Sequence, residues 1–269
     1  MNTPLVSTSW LAEHLHDTNL RIVDIRGKVL PATQPPPHYF SHRDDYAKSH
    51  IPNAVFVDWT TDIVEPNSPS NDIASPERFA SLMGQLGIDA DTVVVIYDDA
   101  ASMFAARLWW GLQYYGHKEV YVLDGGWTKW VAEDLPTDNL VPQIEKKTFV
   151  PHVNDSIGAT ADRIVAKLDS GNMQLVDVRS PAEFAGEASR AELMGHIPNA
   201  INLPRKTMVA QDSTLLPKDD LIAHFAKIGI TLDAPETVIY CNSGVSASYG
   251  MLAMQVAGAK NIRVYDGSW

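Results

Sequence analysis

The chain has 269 residues, of which 45% are hydrophobic and 20% are charged, so it can form one large domain or two of ordinary size. Its 33 acidic residues outnumber its 21 lysines and arginines, and the formal net charge is −12. This balance argues against binding to nucleic acid or to an anionic membrane, so any anionic ligand must be attracted by a local site. No signal peptide is apparent, and no segment approaches the roughly 20 apolar residues of a membrane span.

Cys241 is the single cysteine of the chain, which excludes an internal disulfide and a metal site built from several thiolates. A chain without disulfides is typical of a reducing compartment, so we predict a cytoplasmic protein. A lone cysteine is by default a buried, inert side chain. The residues that surround Cys241 favour a reactive thiol instead.

Short β-branched segments alternate with helical patterns along the whole chain. In the first half, strands are predicted at residues 22–25, 92–97 and 120–123, and helices at residues 75–86 and 104–115. In the second half, strands are predicted at residues 174–178, 237–240 and 262–265, and helices at residues 218–227 and 247–257. This alternation predicts an α/β fold in which a mostly parallel sheet is flanked by helices.

The chain also repeats itself once. The segment His-Ile-Pro-Asn-Ala at residues 50–54 recurs identically at residues 196–200, and Asp-Gly-Gly-Trp at residues 124–127 is matched by Asp-Gly-Ser-Trp at residues 266–269. Repeated motifs in the same order and at nearly constant separation indicate a duplicated domain. We predict an N-terminal domain at residues 1–138, a linker at 139–155 and a C-terminal domain at 156–269.

The first repeat contains an extra loop that the second lacks. It includes the proline-rich residues 31–37, which cannot join a central strand. The loop is either a surface insertion or a cover for a site on the other domain.

The segment Tyr-Cys-Asn-Ser-Gly-Val-Ser at residues 240–246 follows a predicted strand and precedes a predicted helix. A loop in this position directs backbone N–H groups inward at the positive end of a helix dipole. These donors would stabilise a thiolate on Cys241. Gly244 permits a backbone conformation that other residues avoid. The loop is therefore predicted to be an anion cradle beside a nucleophile.

These motifs together resemble the tandem-domain rhodaneses, which are sulfurtransferases of the thiosulfate and 3-mercaptopyruvate type. The resemblance covers almost the whole chain and implies two tandem rhodanese-like domains. It also implies a catalytically silent first domain, because Asp98 stands at the position that matches Cys241 and an aspartate cannot carry sulfane sulfur. No cofactor is implied.

The loop sequence bears on the sulfur donor. Thiosulfate-specific members resemble Cys-Arg-Lys-Gly-Val-Thr, and mercaptopyruvate-specific members resemble Cys-Gly-Ser-Gly-Val-Thr; Cys-Asn-Ser-Gly-Val-Ser is nearer the second. The resemblance implies transfer of sulfur from 3-mercaptopyruvate, through a persulfide on Cys241, to cyanide or to a thiol such as thioredoxin or glutathione. Thiosulfate:cyanide sulfur transfer and a non-catalytic sulfur carrier are the alternatives. A cysteine-dependent phosphatase is disfavoured, because Ala247 stands where its phosphate-binding arginine is required.

Two arginines are candidate partners for the donor's carboxylate. Arg179 follows a predicted strand, where open α/β sheets place ligand contacts, although an ion pair with Glu183 is the structural alternative. The resemblance implies the same role for Arg190, and arginine binds carboxylates in a bidentate manner. The predicted substrate-binding residues of the loop are Asn242, Gly244, Val245 and Ser246.

The resemblance further implies a proton relay of serine, histidine and aspartate. Ser243 matches the serine and His50 matches the histidine, while Asp44 or Asp45 would supply the acid. The structural alternative for His50 is that it braces a turn, because the second repeat retains His196 at the same place.

Overall fold

The computed structural model describes residues 3–68 and 71–269. The strands of the first repeat are β1 (Leu5–Val6), β2 (Leu20–Asp24), β3 (Gly27–Val29), β4 (Tyr39–Ser41), β5 (Ala54–Phe56), β6 (Val93–Tyr97) and β7 (Val120–Leu123). Its helices are α1 (Thr8–His14), α2 (Arg43–Lys48), α3 (Pro76–Gln85), α4 (Met103–Tyr114) and α5 (Gly126–Ala132).

The second repeat follows a segment without regular helix or strand. Its strands are β8 (Gly158–Ala159), β9 (Gln174–Asp177), β10 (Ile201–Asn202), β11 (Thr237–Tyr240) and β12 (Ile262–Tyr265). Its helices are α6 (Ala161–Lys167), α7 (Pro181–Ala185), α8 (Lys218–Lys227) and α9 (Val245–Ala257), with a 3-10 helix at Arg205–Met208. Within residues 3–68 and 71–269, none of the helices is long and apolar enough to cross a membrane.

Each repeat contains a five-stranded parallel sheet, and the two sheets share one strand order. The first sheet runs β1-β7-β6-β2-β5 and the second runs β8-β12-β11-β9-β10. Their central strands are buried β-branched segments, as expected for sheets covered by helices on both faces. The predicted fold class and the duplication are both confirmed.

The predicted elements agree with the observed ones to within two residues at most ends. Strand β11 and helix α8 have the predicted bounds, whereas α9 begins at Val245, two residues earlier than predicted. The difference arises because Gly244, with φ of +72°, turns the chain directly into the helix. The loop after Cys241 is therefore shorter and tighter than the sequence indicated.

Helices α4 and α9 pack against each other across the two repeats. Leu108 and Trp109 of α4 share one continuous core with Tyr249 and Leu252 of α9, and all four are fully or almost fully buried. Because each of these helices follows the loop after a central strand, the packing brings the ends of both sheets to one interface.

The extra loop of the first repeat is an antiparallel hairpin of β3 and β4, joined by residues 30–38. The hairpin extends to the second repeat, where Arg190 Nη2 donates a hydrogen bond of 2.5 Å to the carbonyl oxygen of Leu30. The loop is therefore not a mere surface insertion. It covers a site on the other domain, because the hairpin contributes to the wall of a cavity there.

Candidate active site

Cys241 lies directly after β11, in the loop that leads into α9, and borders a cavity of about 530 Å³. The residue is only 4% exposed, so its thiol is reached through this cavity rather than from the outer surface. Both repeats line the cavity, which places the site at the interface between them. The other predicted loop residues that line it are Asn242, Ser243, Val245 and Ser246.

The side chain of Ser268 accepts hydrogen bonds from two amides of the Cys241 loop. The backbone N–H groups of Cys241 and Gly244 both donate to Ser268 Oγ, at 3.2 and 2.9 Å. The same oxygen lies 3.9 Å from Cys241 Sγ and 3.0 Å from the carbonyl oxygen of Tyr265. Two of the loop amides thus hold the loop's shape. Ser268 was not predicted as a site residue. The sequence signal for it was the replacement of Gly126 by a serine in an otherwise repeated motif.

The remaining amides of the loop are placed to bind an anion. Within the described part of the chain, no acceptor engages the backbone N–H groups of Asn242, Ser243 or Val245, nor those of the next two residues of α9. The first N–H groups of a helix lack intrahelical acceptors, and they carry the positive end of its dipole. This arrangement matches the predicted anion cradle, except that two of its amides donate to Ser268 and are not available to a ligand.

The first repeat shows what such a cradle does with a negative charge. The carboxylate of Asp98 accepts hydrogen bonds of 2.7–2.9 Å from the amides of Ala100, Ser102, Phe104 and Ala105. Burial raises the pKa of Asp98, and the amide hydrogen bonds offset only part of this rise. The first repeat therefore carries a hydrogen-bonded carboxyl group at the place where the second repeat carries the thiol.

We expect Asp98→Ala to lower the free energy of unfolding by about 2–4 kcal/mol, because four buried amides lose their acceptor. Urea unfolding measures this loss. Asp98→Asn is the comparison: its oxygen can accept from two of the four amides, but its NH2 group meets the N–H donors of the other two, so we expect a loss comparable to that of alanine. An alanine variant as stable as the wild type would show that the amides are satisfied in another way.

Beneath Gly244 lies a buried ion pair between the repeats. Arg107 Nη1 of α4 is 2.5 Å from Asp266 Oδ1, and Asp266 Oδ2 accepts a 2.8 Å hydrogen bond from the N–H of Ile73. A Cβ atom at position 244 would overlap both members of the pair. Gly244 does not line the cavity, so its contribution to the site is to let the backbone approach this pair.

Glu183 places a carboxylate next to the loop. Its Oε1 accepts a 3.0 Å hydrogen bond from Asn242 Nδ2 and lies 3.7 Å from Arg190 Nε, while Oε2 accepts from Ser180 at the start of α7. Burial alone would raise the pKa of Glu183, but the hydrogen bonds from Ser180 and Asn242 and the charge of Arg190 leave it lowered. The carboxylate is therefore ionised at neutral pH and partly neutralises Arg190.

Arg179 is held in a structural ion pair. Its Nε donates to both carboxylate oxygens of Asp177 at 3.0 Å, and its Nη2 donates to Asp177 Oδ2 and to the carbonyl oxygen of Gly195. The residue is 3% exposed, and Arg26 forms the corresponding pair with Asp24 in the first repeat. Arg179 borders the cavity and its Nη1 has no hydrogen-bond partner among the described residues, but the rest of its guanidinium is committed to an ion pair with Asp177 rather than Glu183.

The predicted relay is not assembled. His50 is fully buried, and its ring nitrogens contact the carbonyl oxygens of Tyr46 (2.7 Å) and Leu140 (3.1 Å), with Asp138 at 3.3 Å. His196 makes the equivalent contact with the carbonyl oxygen of Phe184. The repeated histidine therefore braces a turn in each copy and does not line the cavity.

The acid of the relay is also misplaced. Asp44 is exposed in the first turn of α2, and Asp45 forms a surface ion pair with Lys48. The acidic partner of His50 is Asp138, which the sequence analysis did not identify. Ser243 alone of the relay residues lines the cavity.

Tyr39 is a further cavity residue that the sequence analysis missed. It comes from β4 of the first repeat, and its ring lies 5.9 Å from the guanidinium carbon of Arg190. Burial raises the pKa of Tyr39, and the nearby Cys241 and Glu183 add to the rise while Arg190 opposes it. Its only sequence signal was its position in the extra loop.

Comparison with known proteins identifies the family. The model of the rhodanese-like domain matches residues 7–133 and again residues 160–269. This chain belongs to the rhodanese-like domain family. The tandem rhodanese-like arrangement predicted from the repeats agrees with these two matches.

Several curated proteins are similar to this tandem rhodanese-like chain over nearly all of its length. The sulfur carrier protein TtuD of Thermus thermophilus is 35% identical, over 98% of this chain and 92% of that protein. The thiosulfate sulfurtransferase of Mus musculus is 32% identical, over 98% and 90%. The crystal structure of the 3-mercaptopyruvate sulfurtransferase SseA from Escherichia coli superposes with a TM-score of 0.86, at 29% identity and 99% coverage of both chains.

Proposed function

We propose that this protein is a sulfurtransferase that moves a sulfane sulfur from 3-mercaptopyruvate to cyanide or a thiol through a persulfide on Cys241. The observation that carries the proposal is the position of the thiol: it opens onto a cavity at the start of α9, among backbone N–H groups without acceptors in the described residues. The corresponding amides of the first repeat bind a carboxylate, which supports an anion-binding role for this type of loop.

The proposed reaction has two steps. The thiolate of Cys241 attacks the donor's sulfur, the carbon–sulfur bond breaks, and its electron pair leaves on the carbon as the enolate of pyruvate. The proton of the donor's own thiol passes to that carbon, which leaves a persulfide anion on Cys241. An acceptor thiolate or cyanide then attacks the outer sulfur and regenerates the Cys241 thiolate. Because the donor supplies the proton, the first step does not require a histidine.

The charges around the loop favour a donor with one negative charge over a dianion. The loop contains no lysine or arginine, and the ionised carboxylate of Glu183 is hydrogen-bonded to its second residue, Asn242. A thiosulfate dianion would meet this carboxylate, whereas 3-mercaptopyruvate carries a single carboxylate. The similarity to a protein named as a thiosulfate sulfurtransferase keeps thiosulfate as the second candidate donor.

A donor panel tests the proposal. We expect 3-mercaptopyruvate to support multiple turnovers with cyanide at a higher kcat/KM than thiosulfate, and intact-mass spectrometry to show one added sulfur atom in the absence of acceptor. Higher kcat/KM with thiosulfate would reverse the choice of donor. Persulfide formation without multiple turnover would indicate a sulfur carrier, and no added sulfur with either donor would overturn the proposal.

The acceptor and the cellular location remain predictions. Cyanide and the thiols glutathione and thioredoxin are proposed acceptors. The cytoplasmic setting rests on the cysteine content alone.

A further inference from the structure

Arg205 is the first residue of the 3-10 helix that follows β10, and it lines the same cavity as Cys241. Its backbone N–H donates a 3.1 Å hydrogen bond to the carbonyl oxygen of Val178, which follows β9. Strand β9 pairs directly with β11, the strand that leads to Cys241. The main chain of Arg205 is therefore held next to the catalytic strand.

The guanidinium of Arg205 is half-buried and has no acidic partner among residues 3–68 and 71–269. Its Nη1 donates to the carbonyl oxygens of Ala100 (3.2 Å) and Ala101 (3.4 Å), and its carbon lies 5.3 Å from the ring centre of Tyr249. Within the described chain, no acceptor engages Nε or Nη2. An edge of the guanidinium with two donor nitrogens is thus available to an anion.

Each of the other two arginines of the cavity lies close to a carboxylate, and each has one buried nitrogen, Nη1, without a hydrogen-bond partner among the described residues. Arg179 is paired with Asp177, and Arg190 lies near Glu183 and donates to the first repeat. Burial lowers the pKa of Arg205, and the charges of Tyr249 and Asp98, neither of which forms an ion pair with it, offset only part of this effect. Binding of an anion would supply that missing partner.

We propose that Arg205 anchors the carboxylate of the sulfur donor, so that the site selects mercapto keto acids such as 3-mercaptopyruvate, and related monoanions, over neutral thiols. This inference rests on the proposed function, and it assigns to Arg205 the role that sequence reasoning gave to Arg179. A bidentate contact through Nε and Nη2 would hold the donor by its acid end, with its sulfur directed to Cys241.

The first experiment compares 3-mercaptopyruvate with mercaptoacetone, a neutral analogue that lacks the carboxylate. For Arg205→Gln we expect KM for 3-mercaptopyruvate to rise about 10- to 100-fold, with kcat changed far less and kcat/KM for mercaptoacetone within about threefold of wild type. Arg205→Lys should recover part of the loss. Lys227→Gln removes the same charge from an exposed position on α8 and should leave both donors unaffected.

The outcomes distinguish an Arg205 that binds the donor's carboxylate from one that only supports the structure. Equal losses with both donors would show that Arg205 only braces the loop of the first repeat, and unchanged kinetics would show that the donor does not contact it. Either result overturns the inference.

A second experiment does not depend on sulfur transfer. Cys241 is alkylated with iodoacetate, which carries one carboxylate, and with neutral iodoacetamide. We expect Arg205→Gln to lower the iodoacetate-to-iodoacetamide rate ratio about 10-fold, since any change in thiolate content affects both reagents alike. If neither donor loads sulfur but this ratio falls, the proposed function fails and the anion anchor stands. If the ratio is unchanged, the anchor fails whatever the donor panel shows.

Discussion

Replacing the sulfur of Cys241 with oxygen is expected to abolish sulfur transfer. In Cys241→Ser we expect turnover to fall by about three orders of magnitude or more, because a neutral hydroxyl neither attacks the donor nor holds a second sulfur atom. The side chain keeps its shape at a position that is almost completely buried, so the fold should persist. Steady-state rates with cyanide and intact-mass spectrometry after incubation with donor measure the two effects.

His50→Gln is the matched control for this variant. The imidazole of His50 contacts backbone carbonyl groups outside the cavity, so its loss should affect stability while each folded molecule still forms the persulfide. Residual activity above a few per cent in Cys241→Ser would remove the nucleophile assignment. Loss of persulfide in correctly folded His50→Gln would restore a relay that the geometry does not show.

Gly244→Ala is expected to damage both stability and catalysis. The backbone at this position has φ of +72°, and an added Cβ would overlap Arg107 and Asp266, which form the buried ion pair between the repeats. We expect unfolding free energy to fall by about 2–4 kcal/mol and turnover to fall at least about 10-fold, because the loop must shift to relieve the overlap. Urea unfolding and initial rates measure these changes.

Gly171→Ala is the control that measures the cost of left-handed backbone strain without a steric overlap like the one at Gly244. Gly171 has φ of +70°, and a Cβ there would meet no heavy atom within 4 Å. Its replacement should therefore cost about 1–2 kcal/mol through the left-handed backbone alone and leave turnover unchanged. If the two alanine variants lost the same stability and the same activity, the ion pair would not support the loop as the geometry indicates.

The two repeats contribute different residues to one interface. The second repeat supplies Cys241, and the first supplies Tyr39 to the cavity wall and Arg107 to the ion pair beneath the loop. In the first repeat, the corresponding loop amides bind the side chain of Asp98. The environment of the Cys241 loop is thus one that neither repeat could form alone.

The sequence predictions were accurate for features set by neighbouring residues and inaccurate for features set by contacts between distant ones. Strands such as β11 were predicted to the residue, because a buried parallel strand needs a continuous run of β-branched and aromatic side chains. His50 was misassigned because sequence matching cannot tell a histidine that binds backbone carbonyls from one that faces a site. The ion pair of Arg179 with Asp177, two residues away at the same strand end, was missed because the sequence suggested Glu183 as the partner.

The amino-acid sequence by itself determined the duplication, the parallel α/β sheets, the aspartate that replaces cysteine in the first repeat and the loop that carries Cys241. These features depend on local periodicity, on turn residues and on residue identity, all of which can be recognised along the chain. The tertiary structure decided which charges face the cavity: Arg179 is paired, Arg190 is partly neutralised by Glu183, and Arg205 is unpaired in the described chain. Ion pairing and burial depend on residues brought together from distant segments, so only the packed molecule distinguishes an arginine that binds a ligand from one that supports the fold.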